Sequence, residues 1–193
     1  YLYDHFKDGV IIMSDGSQKA KQMNVHLRAG RLHYIDNGVI KEAFLADVSA
    51  VEIGKDVFLP VYSTLMLVVA KNDNGCVALQ QLGDFEAAIS GTGAYGTSAS
   101  SSATMKLTSV QSDSQVNQNY MNILNEKSEG MNLNILSTYY LVTPEYKVKA
   151  TRNEIQAVLP QEKAARLKGY VKEHKVKWKS PQGLLPLLDF LAE

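Results

Sequence analysis

Turn signals punctuate the first part of the chain so closely that no long helix fits between them. Ser14-Asp15-Gly16, Ala29-Gly30, Asp36-Asn37-Gly38 and Asn72-Asp73-Asn74-Gly75 each offer a reversal. Asn-Gly is the sharpest of these, because both residues tolerate the positive φ angles of a two-residue hairpin turn. The runs between them are short and rich in β-branched or aromatic residues: 10–13, 31–35, 39–44, 48–53, 57–62, 64–70 and 76–81. Residues 23–28 alternate, with Met23, Val25 and Leu27 apolar and Asn24, His26 and Arg28 polar. A period of two puts one set on the core and the other on the opposite face. Short strands with frequent turns predict a curved antiparallel sheet, a barrel or a sandwich, rather than βαβ units.

The pattern then changes. Residues 90–104 are almost all Gly, Ser, Thr and Ala, with Tyr95 the only large side chain. Such a stretch buries too little apolar surface to offset its ordering entropy, so it reads as a flexible loop. Residues 105–110 and 131–142 read as strands. Between them Val116, Tyr120, Ile123, Leu124 and Lys127 fall at helical spacing after Ser112-Asp113. The C-terminal part is helical: Thr151 with Glu154 three residues later forms a capping-box pattern ahead of Ile155, Val158 and Leu159. Pro160 ends that helix and can begin the next, in which Leu167, Tyr170, Val171 and His174 share a face. Ser180-Pro181 opens a last element whose leucines and Phe190 lie on almost all sides, and Pro186 restricts where its helix begins.

These readings give an α+β fold: an antiparallel β-meander over 1–145 and a basic helical subdomain over 146–193. At 193 residues, 45% hydrophobic and 21% charged, the chain is long enough for a real core and ordinary in composition. The net charge of zero hides an asymmetry. Residues 1–145 carry 10 Lys+Arg and 15 Asp+Glu, net −5, and residues 146–193 carry 10 and 5, net +5. Mutual attraction of the two parts is the first expectation; a basic tail reaching for an acidic partner is the sharper one. No apolar run reaches the ~20 residues of a membrane span. The single cysteine, Cys76, offers neither an internal disulfide nor a metal-binding pair, and reads as a buried thiol in a strand.

Some of this order resembles a family. Phe6-Lys7-Asp8-Gly9-Val10, Asp15-Gly16-Ser17, residues 24–32 and residues 48–58 look like a pattern found in uncharacterised exported proteins of Bacteroidetes. Tyr139-Tyr140-Leu141 followed by Leu159-Pro160, Leu167-Lys168, Tyr170-Val171-Lys172, Leu184-Leu185, Leu188 and Phe190-Leu191 is similar too. The resemblance lies in turns and core spacing and brings no catalytic residues. It implies the periplasm or cell envelope, with an export signal removed before Tyr1; nothing in the residues excludes the cytoplasm.

Four features could carry chemistry. Gly91-Thr92-Gly93-Ala94-Tyr95-Gly96 matches a dinucleotide fingerprint, but a run of Ser and Thr follows where a helix must start, and chance in a Gly-rich stretch explains it. If Ala29-Gly30 is a two-residue turn, His26 faces His33 and Arg28 faces Arg31 on the non-core face. Facing residues have Cβ atoms ~5 Å apart. Two imidazoles are half a zinc site at most, and no third ligand is evident. His26, Arg28, Arg31 and His33 could instead grip a small anion, against the plain reading of an exposed polar face. Seven Lys/Arg between Lys163 and Lys179, with His174 and Trp178, could meet phosphates. The acidic remainder and the lack of a nucleic-acid module argue against nucleic acid as a partner. Finally, no serine lies in a Gly-x-Ser-x-Gly elbow, and the carboxylates Asp47, Glu52 and Asp56 have no evident partner.

No cofactor is called for. The expected function is non-catalytic binding or scaffolding in the cell envelope, with a protein or a small anionic ligand as partner. A hydrolase acting on an envelope polymer or glycan is the alternative. A module that oligomerises through Leu184, Leu187, Leu188 and Leu191 is a second.

Overall fold

The computed structural model describes residues 1–85 and 133–193. Residues 1–82 and 136–193 form one compact unit. The expected loop at 90–104, strand at 105–110 and helix within 116–127 lie outside the described residues.

The fold is α+β, a ten-stranded sheet followed by three C-terminal helices. The strands are β1 (Lys7–Met13), β2 (Gln18–His26), β3 (Arg31–Asp36), β4 (Val39–Glu42), β5 (Val48–Ile53), β6 (Asp56–Val61), β7 (Thr64–Asn72), β8 (Gly75–Gly83), β9 (Ile135–Val142) and β10 (Lys147–Lys149). The helices are α1 (Arg152–Val158), α2 (Gln161–Glu173) and α3 (Pro181–Ala192). The spatial order is β10-β9-β8-β7-β6-β5-β1-β2-β3-β4, so β10 and β4 are edges and the sheet is not closed into a barrel. Each pairing whose register is described is antiparallel. The meander breaks once: β5 returns past β4 to pair with β1.

Turn chemistry fixes the local register. Asn37 and Gly38 have φ of 51° and 77°, the two positive angles of a type I′ turn, and Asp36 pairs with Val39 across it. The β2–β3 connection differs from the expected two-residue turn. Val25 pairs with Leu32 and His26 with Arg31, so the loop holds the four residues 27–30. Leu27 is buried rather than paired, and the Gly30 carbonyl accepts from Leu65 N at 2.8 Å. This bond ties the tip of the hairpin to the start of β7. Gly30 is required there, since its φ is 61° and a Cβ would collide with Thr64.

Directly opposed residues share a face, so Ile11, Val51, Phe58 and Leu67 line up across β1, β5, β6 and β7. With Met23, Val25, Leu32, Ile53 and Leu65 they build the first core cluster. A bulge between Val68 and Ala70 in β7 precedes the second. There Val77, Leu141 and Val148 of the sheet meet Ile155, Leu167, Leu184, Leu187, Leu188, Phe190 and Leu191 of the helices.

That second cluster revises two expectations. Leu184, Leu187, Leu188 and Leu191 are 0–2% exposed, so they are interior and present no surface to a second chain. A helix apolar on nearly every side is a buried helix, and α3 is one. The basic part does dock on the sheet, but through apolar burial. Among the described residues the ion pairs are Lys21–Asp36, Lys41–Asp36, His33–Glu42 and Arg166–Glu193, and none joins residues 1–145 to 146–193. Polar links across that line are uncharged or half-charged. Asn72 and Asn74 both donate to Asp189 Oδ1, at 2.7 and 2.8 Å, and the Tyr62 hydroxyl donates to the Lys147 carbonyl at 2.5 Å. Residue 146 is therefore no domain boundary: β10 completes the sheet that the first part begins.

The helix termini follow their sequences. Thr151 caps α1 by accepting from Glu154 N, as the capping-box pattern predicts. α2 ends in a Schellman arrangement: Val176 N donates to Val171 O at 3.1 Å and Lys175 N to Lys172 O at 3.4 Å. Lys175 holds the left-handed position with φ of 48°, where glycine is usual. α3 starts at Pro181 and runs through Pro186, so Pro186 lies inside the helix instead of limiting its start. Among the described residues no helix is long and apolar enough to cross a membrane.

Candidate functional site

Among the described residues, two places gather side chains capable of chemistry. The first is the polar face of β2 and β3. Register places His26 diagonal to His33, and their rings stack with centroids 4.9 Å apart and planes 3° from parallel. The face is covered by the segment ahead of β1. Asn24, buried at 1% exposure, clamps that segment. Its Oδ1 accepts from Tyr3 N and Val25 N, and its Nδ2 donates to the carbonyls of Tyr3 and His5. Tyr1 packs edge-on against both imidazoles, 5.3 and 5.6 Å between centroids. Its hydroxyl lies 2.9 Å from His33 Nδ1, and His33 Nε2 lies 3.4 Å from Glu42 Oε2. The Nε2–H tautomer satisfies both contacts, accepting from Tyr1 and donating to Glu42.

Burial dominates the electrostatics here. It lowers the His26 pKa to about 4, helped by the nearby His33 and Arg28. Burial also lowers that of His33, against the opposing pull of Glu42. Arg28 stands exposed in the loop and Arg31 is half-buried opposite His26. The structure thus brings the two histidines together as expected, but as neutral, covered rings with no charge for an anion near pH 7. Among the described residues no group of three His, Cys, Asp or Glu is placed to hold a metal ion. Cys76 is buried in β8, and burial raises its thiol pKa, which keeps it protonated.

The second place is an open depression of about 260 Å³ in the C-terminal part, lined by Ser137, Thr138, Tyr139, Lys149, Ala150, Thr151, Trp178 and Lys179. Three separate segments build it. β9 supplies Ser137, Thr138 and Tyr139, and the junction of β10 with α1 supplies Lys149, Ala150 and Thr151. The Ala150 N–H donates to the Tyr139 carbonyl at 2.8 Å and fixes these two against each other. The connection between α2 and α3 supplies Trp178 and Lys179. That connection is pinned at both ends: Lys177 N donates to Gly183 O at 3.1 Å, and Ser180 N to Lys177 O at 3.2 Å. Gly183 allows the close approach, since a Cβ there would meet Lys177 O at 2.9 Å. Tyr139 and Trp178 both pack against the helix–sheet core, so the rings are held in place while part of each borders the depression.

The lining has a definite character. It offers two aromatic surfaces, three hydroxyl-bearing aliphatic side chains and two ammonium groups, with no carboxylate, imidazole or thiol. Trp178 and Lys179 were visible in the sequence only as members of a basic run, and Lys149 and Tyr139 carried no signal of their own. Nothing local foretells that residues forty positions apart meet. The one available hint was an indole between two lysines, Lys177 and Lys179.

No protein-family model, curated protein or solved structure matches this chain.

Proposed function

We propose that this chain is a non-catalytic binding protein of the bacterial cell envelope that takes its ligand in the depression between β9, β10 and the α2–α3 connection. The supporting observation is the set of Tyr139 and Trp178, anchored on the core from one side and bordering an open depression with hydroxyl and ammonium groups from the other. Preorganised aromatic surfaces with a few convergent polar groups are how small-ligand sites are ordinarily built. The envelope location rests on the resemblance to exported Bacteroidetes proteins. Lining residues able to donate hydrogen bonds and stack, without an acid–base pair, favour holding a ligand over cleaving it.

Trp178 is the only tryptophan of the chain, so its fluorescence reports on this site alone. Oligosaccharides and small metabolites titrated into the protein shift or quench that emission if they bind in the depression. The protein incubated with the same glycans releases no new reducing ends. Steady release of reducing ends would replace binding with the hydrolase reading.

A further inference from the structure

The ligand's chemical class can be read from the same depression, and this step rests on the binding reading above. Lys149 and Lys179 both line it, and neither has a side-chain hydrogen bond or ion pair among the described residues. Two uncompensated ammonium groups in one lining set a positive field over a small area. Lys149 belongs to β10 and Lys179 to the α2–α3 connection, so the charge is assembled by the fold rather than by one run of sequence. Apart from Ala150, the rest of the lining is aromatic and hydroxylic. An indole or phenol face accepts the apolar C–H side of a pyranose ring. Ser137 and Thr138 can both donate to and accept from sugar hydroxyls, whereas Thr151 already accepts from Glu154 N at the cap of α1.

We propose that the depression binds an acidic saccharide, a sugar ring carrying a carboxylate, sulfate or phosphate, with the ring against Trp178 or Tyr139 and the anionic group between Lys149 and Lys179. Single-stranded nucleic acid shares the stacking and the charge. It is disfavoured because a backbone-tracking groove needs a continuing line of cations. The lining supplies only these two, and beside them it presents hydroxyl groups suited to a polyhydroxylated ring.

The test is Trp178 fluorescence, backed by calorimetry, with three probes: an oligogalacturonate, a malto-oligosaccharide of equal length, and an oligodeoxythymidylate. The oligogalacturonate binds, its affinity falls as salt rises, and the neutral sugar binds at least tenfold more weakly. Lys149→Gln and Lys179→Gln each weaken binding about fivefold, with unchanged thermal melts since both side chains are exposed. Equal binding of the two sugars, or insensitivity to both substitutions, overturns the acidic-saccharide inference but leaves the binding reading intact. Tighter binding of the oligonucleotide than of the oligogalacturonate also overturns it. A Trp178 signal unmoved by all three probes overturns the acidic-saccharide inference. The binding reading falls with it only when the wider set of oligosaccharides and small metabolites is silent too.

Discussion

Acidification should loosen this protein, and the stacked histidines are the reason. His26 has a folded-state pKa of about 4 against 6.5 for a free imidazole. Between those two values the unfolded chain binds a proton that the folded chain excludes, so stability falls as the pH falls. The full passage is worth about 3 kcal/mol, and about 2 kcal/mol of it is spent by about pH 5. His33 shifts in the same direction and adds to the loss. The charged and titratable groups facing the pair are Arg28 of the loop, Arg31 of β3, Glu42 of β4, and the phenol and terminal ammonium of Tyr1. Only Glu42 favours protonation, and only at His33. A loss of about 2 kcal/mol lowers the melting temperature of a chain this size by roughly 4–8 °C. Melts between about pH 7.5 and pH 5 read it directly, and Asp36, held down to about 2 by Lys21 and Lys41, stays ionised throughout that window. His26→Gln should flatten more than half of the slope. A wild-type melt that is level across this range, or a variant that tracks it in parallel, would refute the argument.

Other substitutions test other joints. Asn24→Ala removes four hydrogen bonds from a buried position and should cost about 2–4 kcal/mol in urea denaturation; it should also release residues 1–6 to rapid hydrogen exchange. Leu188→Ala should cost about 2–5 kcal/mol by cavity formation while leaving the elution volume unchanged, because this side chain is interior. Lys175→Gly relieves a left-handed non-glycine residue at the end of α2 and should stabilise by about 0.5–1 kcal/mol. A neutral or negative effect there would mean that Lys175 makes a compensating interaction.

Local chemistry made much of the fold readable. Asp36-Asn37-Gly38 specified a hairpin because positive φ is cheap only for such residues, and Thr151 with Glu154 specified a cap. What escaped is what depends on distant partners. The β2–β3 loop lengthened because Leu27 found a core position and Gly30 found Leu65, neither of which the hairpin sequence records. The parity of the register survived this two-residue slip, so His26 and His33 stayed on one face. Their environment did not follow from alternation, since the face that strand patterning marks as outward is covered by the preceding segment through Asn24. Net charge suggested an electrostatic docking of the C-terminal part, whereas leucines on every side of α3 were the better guide. The depression was the least legible feature, because its walls come from three segments, each ordinary by itself.

The placement of β1 inside the sheet also bears on how the chain can be made. β1 needs β2 on one side and β5 on the other, and β5 is synthesised only after β2, β3 and β4. A growing chain therefore holds Val10, Ile11 and Ile12 on an open strand edge until Val48 to Ile53 arrive. Exposed apolar edges invite pairing with other chains. A fragment ending after β4 should accordingly aggregate rather than fold, and translation pauses between β4 and β5 would be the most hazardous point of its synthesis.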